Sequence, residues 1–351
     1  MLIKKKGKNM KITKILVALS FLFAVSTANA GELAVTGSME TTYGTHGNAT
    51  TGNPLGMDRE LKFAGSTELD SGITVSVMQD TSDAFALGNS QIAFSNIMGM
   101  ATIYVGSDSD PMDGIDDVTP TAYEEANGSG SGTYTSNDIG DLAGETGIGI
   151  KFDLPFIGNV NAKHYPKADG AKNSDNSVSG ATNNAVGSGT SVAIKNNLGD
   201  IAPALDGATL TLGYEEFQNS TIANTEDQEG ATVALNYATG PISVGVQKKY
   251  HMEGKNLATS TAASPEYDYR DTAIGIAYAV NDSLSLSLNR YESDRSSAID
   301  DGSNLEQTSE AFNIAYTMGG MTIGFQEART DNSNYATGED DTRTLGVSVA
   351  F

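Results

Sequence analysis

The chain has 351 residues with no cysteine and no tryptophan, and its 44 acidic residues outnumber 21 basic ones for a formal net charge of −23. Acidity on this scale repels phosphates and argues against a nucleic-acid partner, and without cysteine no disulfide can staple the fold. No apolar run reaches the roughly 20 residues that a membrane-spanning helix requires.

At the N-terminus, Lys4, Lys5, Lys6, Lys8, Lys11 and Lys14 precede an apolar run from Ile15 to Val25, and Ala28-Asn29-Ala30 follows. A basic segment, a short apolar core and an A-x-A site read as a cleaved export signal over residues 1–30, which places one mature domain at 31–351. Met10 is an alternative initiator, since Lys11 and Lys14 would keep the segment basic. Cleavage removes six lysines and no acids, leaving 15 basic against 44 acidic residues over 321, a charge of −29.

From residue 31 onward, apolar and polar residues alternate in short segments, and no helical periodicity of useful length occurs. Leu33, Val35, Met39 and Tyr43 oppose Thr36, Ser38, Glu40 and Thr42; later, Leu284, Leu286 and Leu288 oppose Ser285, Ser287 and Asn289. The expected strands lie at about 33–44, 58–69, 73–80, 89–97, 100–106, 146–154, 160–167, 189–197, 208–217, 230–239, 241–252, 268–280, 284–294, 309–318, 320–329 and 342–351. Sixteen is the count preferred here, with fourteen and eighteen left open, because an even number returns both ends of a closed sheet to one side. Connections alternate between short turns, such as Asp70-Ser71-Gly72, and long polar loops, the longest near 107–144. That rhythm and the polar alternate face suit a membrane barrel. Alternation alone serves a soluble sandwich equally well. Tyr43, Tyr104, Tyr214, Tyr237, Tyr278, Tyr316 and Phe351 are candidates for aromatic girdles at the membrane interfaces.

The chain ends inside a strand, with Leu345, Val347, Val349 and the terminal Phe351 on one face. Together with the export signal, the strand rhythm and the long loop after strand five, this resembles the general porins of Gram-negative bacteria, in a divergent form like those of alphaproteobacteria and marine bacteria. The Pro-Glu-Phe-Gly-Gly loop motif of enterobacterial porins is absent. The resemblance implies an all-β transmembrane barrel in the outer membrane, a homotrimer, and passive diffusion of small hydrophilic solutes and ions. It implies that the loop after strand five folds inward to narrow the pore, and that Phe351 is read by the barrel assembly machinery.

Within 107–144 stand Asp108, Asp110, Asp113, Asp116, Asp117, Glu124, Glu125, Asp138 and Asp141, with no Lys or Arg. Strand parity places Lys62, Lys151, Lys163, Lys195 and Lys249 on the polar faces of their strands. The resemblance implies a transverse field between such acids and bases across the pore; the residues themselves show only parity and charge. Surplus acid favours cations, an effect that salt screens.

Other constellations are weaker. Asp108-Ser-Asp110-Pro-Met-Asp113-Gly114 has Met112 and Thr119 where an EF-hand needs oxygen ligands, so it supports loose Ca²⁺ binding at most, as do Asp331 and Glu339-Asp340-Asp341. His46, His164 and His251 share no metal-ligand spacing and no evident nucleophile, so neither catalysis nor a cofactor is indicated. A substrate-selective channel and a non-conducting structural or adhesive exported β protein are the remaining alternatives.

Overall fold

The computed structural model of the chain describes residues 33–47, 52–81, 86–128, 139–140, 145–166, 187–218, 227–252, 267–297 and 305–351. The expected export signal lies outside these residues, as do Asp138 and Asp141. The described residues form sixteen antiparallel strands, each paired with its neighbours in sequence, and the last pairs with the first to close a barrel. In the first half these are β1 (Leu33–His46), β2 (Leu55–Glu68), β3 (Thr74–Thr81), β4 (Leu87–Ile97), β5 (Ala101–Gly106), β6 (Gly147–Leu154), β7 (Gly158–Tyr165) and β8 (Gly189–Asn197). The second half comprises β9 (Ala208–Phe217), β10 (Gln228–Thr239), β11 (Ile242–Met252), β12 (Tyr267–Ala279), β13 (Leu284–Ser297), β14 (Gln307–Met318), β15 (Met321–Asp331) and β16 (Glu339–Ala350). Strand limits expected from the sequence fall within three residues of these.

Turn chemistry explains where strands stop. Gly72 takes φ +80°, and its N–H donates to Leu69 O at 2.8 Å, reversing the chain between β2 and β3. Between β12 and β13 the Asn281 side chain accepts from the backbone N–H groups of Ser283 and Leu284 at 2.9 and 3.0 Å, a local substitute for strand pairing. These turns share one end of the barrel with the start of β1 and the end of β16. The seam closes with Gly37 and Phe351 exchanging backbone hydrogen bonds of 2.9 and 3.0 Å.

Burial decides which face is which. The apolar alternates point outward: Leu33 is 66% exposed, Leu288 58% and Ile274 50%, whereas the inward Gln247, Ser309 and Asn313 are 0% exposed. This inversion suits a barrel with lipid outside and water inside, and in a soluble sandwich it would leave the apolar faces in water. Among the described residues no helix is long and apolar enough to cross a membrane. The outward apolar band gives way to charge on the last strands, where Arg290 meets Glu310 at 2.6 Å, Arg343 meets Glu327 at 2.7 Å and Arg329 meets Glu339 at 2.6 Å.

Tyr43, Tyr214, Tyr237, Tyr278, Tyr316 and Phe351 all lie exposed on the outer surface. Tyr104 does not. It pairs across the ladder with Gly149 on the inward face and is fully buried, so it belongs to the lumen wall rather than to a girdle.

Candidate functional site

The segment after β5 turns into the barrel and runs along its inner wall. It leaves β5 beside Tyr104, whose hydroxyl donates to Asn161 Oδ1 at 2.7 Å and lies 3.2 Å from Ser109 O. Its first apolar residues, Met112, Ile115 and Val118, are buried with Ile139 against Ala193 and Ala234 of the wall. Further on, Ala126 packs with Ala273, Tyr291, Ala311 and Ala328.

Side-chain amides of the wall take up the backbone of this segment, which has no strand partner of its own and must satisfy its polar groups otherwise. Gln247 on β11 donates to Ile115 O and Asp116 O at 2.9 and 2.8 Å and accepts from Val118 N at 2.9 Å. Asn236 donates to Val118 O and Asn289 to Pro120 O, both at 2.8 Å. Gln326 donates to Glu124 O at 3.1 Å and Glu125 O at 2.9 Å. These anchors escape a sequence reading that follows charge. The available signal is Asn or Gln at inward parity on β10, β11, β13 and β15.

Glycines on the same wall make room for the segment. A Cβ at Gly213 would collide with Ile115 Cδ1 and Met112 Sδ. Gly324 and Gly346 lie opposite each other on β15 and β16, and the Tyr123 ring occupies the space their side chains would fill. From that platform the Tyr123 hydroxyl donates to Glu40 Oε1 on β1 at 2.7 Å. Burial, followed by this bond to Glu40, raises the Tyr123 phenol above its ordinary range, so it stays protonated as a donor.

The acids of the segment occupy different surroundings. Asp110 is buried, its carboxylate accepting from Met112 N at 2.7 Å, Asp113 N at 3.0 Å and the Tyr165 hydroxyl. Asp117 faces Lys249 at 3.4 Å, and Asp116 Oδ1 accepts from Asp117 N at 2.8 Å. Glu125 is buried, Asp108, Asp116 and Glu124 are half-buried, and Asp113 is exposed.

All five lysines point inward, in three settings. Lys163 and Lys249 are packed behind the segment: the Lys163 ammonium donates to Asp108 O and Glu145 O, each at 3.2 Å, and lies 4.6 Å from the Tyr165 ring centre. Lys62 stands directly across the ladder from Asp80, with Glu60 next to it on its own face. Lys151 and Lys195 border a cavity of about 270 Å³ that Ser109, Asp110, Asn159 and Asn161 also line.

His251 stacks on Tyr269 inside the barrel, with ring centres 6.0 Å apart, and His164 lies 3.3 Å from Thr190 Oγ1 on the outer face. Among the described residues, no group of three or more His, Asp or Glu is placed to hold a metal ion.

No protein-family model matches the sequence, and no curated protein matches it. Solved structures do match the fold. A porin refined at 1.8 Å resolution is 16% identical with a TM-score of 0.64, the match covering 91% of this chain and 100% of the porin. The anion-selective porin from Comamonas acidovorans is 11% identical with a TM-score of 0.64, covering 92% of this chain and 100% of that one. The trimer form of OmpT, an outer-membrane protein of Vibrio cholerae, is 9% identical with a TM-score of 0.66, again covering 92% and 100%. The fold of this chain is therefore the closed sixteen-stranded barrel of the general bacterial porins.

Proposed function

We propose that the protein is an outer-membrane porin: exported by way of residues 1–30, matured at about Gly31, assembled as a homotrimer, and open to small hydrophilic solutes and ions moving down their gradients. The observation that carries this reading is the closed barrel with an apolar exterior, a polar interior and one segment laid along its inner wall. An apolar exterior around a polar interior suits a water-filled path through lipid, which supports the channel reading. The trimer form of one structural neighbour supports the proposed oligomer. Passive diffusion needs no cofactor or energy source, and any Ca²⁺ at the loop carboxylates would be loosely held and incidental to it.

The path is expected to prefer cations. Asp58, Glu60 and Asp80 on the β2–β3 wall act electrostatically together with Asp108 of the segment, and Lys62 is the base among them. Exposed Asp113 adds to that surplus. The test is conductance of the purified mature chain in a planar bilayer under a KCl gradient. Stepwise conductance with a cation-selective reversal potential is expected; a folded, inserted barrel that passes no current would overturn the proposal.

A further inference from the structure

The cavity between residues 109–115 and the β6–β8 wall differs from the rest of this acidic lumen. Its lining includes two lysines, two asparagines and Ser109, and its one carboxylate is that of Asp110. Asp110 is buried and already accepts from two backbone N–H groups and the Tyr165 hydroxyl. It is thus committed to holding the segment. The two lysines border the cavity from opposite sides: Lys195 is exposed, and Lys151 is half-buried with its ammonium 5.0 Å from the Tyr104 ring centre.

Register brings these groups together. Lys151 on β6 faces Asn161 on β7, and Asn159 on β7 faces Lys195 on β8, so all four are consecutive inward positions on three adjacent strands. Two strand spacings and a two-residue offset separate the lysine Cα atoms by roughly 12 Å. Two lysine side chains, each reaching about 6 Å, can close on one small anion across that gap. The Asn159 amide donates one N–H to Asp153 Oδ1 at 2.9 Å, and the Asn161 amide nitrogen lies 3.4 Å from Ser109 O. Each amide has a second N–H to offer.

We propose that this cavity is a binding niche for small organic carboxylates. Lys151 and Lys195 hold the carboxylate from two sides, and the two asparagines orient it. The inference rests on the lumen being the transport path, and it names a class of solute that the overall charge would otherwise exclude. Asp108 and Lys62 are the charged neighbours that act on Lys151. The Asp108 carboxylate opposes a bound anion and keeps binding weak, and a solute in transit must be held weakly enough to leave.

Succinate is the probe, with the full mature barrel in detergent and saturation-transfer NMR as the readout of binding. Saturable binding in the millimolar range is expected. Lys195→Gln, at an exposed position that does not endanger folding, weakens it several-fold, and Lys151→Gln/Lys195→Gln weakens it by at least about tenfold. Lys248→Gln removes the same charge from the exposed outer face and leaves binding unchanged. No transfer to succinate, or equal affinity in Lys195→Gln and the double variant, would overturn the niche. Inorganic phosphate displacing succinate at equal or lower concentration would overturn the carboxylate assignment. In bilayers, succinate lowers the potassium current of the wild type saturably and that of the double variant not at all. Lysine-dependent binding without any conductance would sustain the niche and sink the channel reading instead.

Discussion

Lys249 has lost nearly all contact with water: its side chain is 1% exposed, its ammonium lies 3.4 Å from Asp117, and it sits 5.2 Å from the Tyr291 ring centre. Asp271 lies across the ladder from Lys249, so Asp117→Asn removes one of the charges that compensate this buried cation and is expected to destabilise the barrel by about 1–3 kcal/mol, measured by urea unfolding in lipid vesicles. Exposed Asp113 behaves differently. Asp113→Asn leaves stability within about 0.5 kcal/mol of wild type but shifts the reversal potential under a KCl gradient toward zero; an unchanged potential removes Asp113 from the ion path. Strand parity in the sequence was enough to send all five lysines inward. It could not divide them, because period 2 fixes the face of a strand and says nothing of what a distant segment lays over that face.

At the scale of elements, the seat of the lumen segment is cut as much by missing side chains as by hydrogen bonds. Gly213→Val drives two methyl groups into Met112 and Ile115, and overpacking of this kind costs about 1–3 kcal/mol. The segment can relieve the clash by leaving the wall, so single-channel conductance is expected to change and to become noisier. Gly44→Val adds the same side chain at an inward strand position with nothing within 4 Å and serves as the comparison. Equal conductance in the two variants would show that the segment does not depend on this seat. The strands were legible in the sequence because each carries its own alternation and turn residues. The seat was not, since an inward glycine reads equally as a bend, a bulge or a close approach, and Gly213, Gly324 and Gly346 acquire their meaning from Met112, Ile115 and Tyr123, 98 to 223 residues away. The lumen position of Tyr104 is hidden for a related reason: a tyrosine near a strand end suits an interface, but Ile103 and Val105 already claim the outward positions.

For the molecule as a whole, the proposed solvent outside is hydrocarbon, and there the usual sign of surface substitutions is reversed. Ile276→Arg, in the outward apolar band on β12, is expected to cost more stability in vesicles than Ser285→Arg on the lumen face. Similar losses at both positions would contradict a lipid-facing exterior. Phe351 tests a separate property. Its ring lies on the outer surface over Gly37 and is 69% exposed, so few packing contacts are lost with it. Phe351→Ala keeps the two backbone hydrogen bonds to Gly37 and is expected to leave refolding in detergent nearly intact while lowering the amount assembled in the outer membrane; normal assembly in cells would deny the ring a role as a signal. The seam beside it has a kinetic meaning as well. β1 precedes its partner β16 by about 300 residues, so one edge of β1 stays open until that distant strand pairs with it. An uncovered edge in the meantime can pair with another copy. Until β16 pairs with it, the open edge of β1 is therefore an aggregation hazard however sound the other strands.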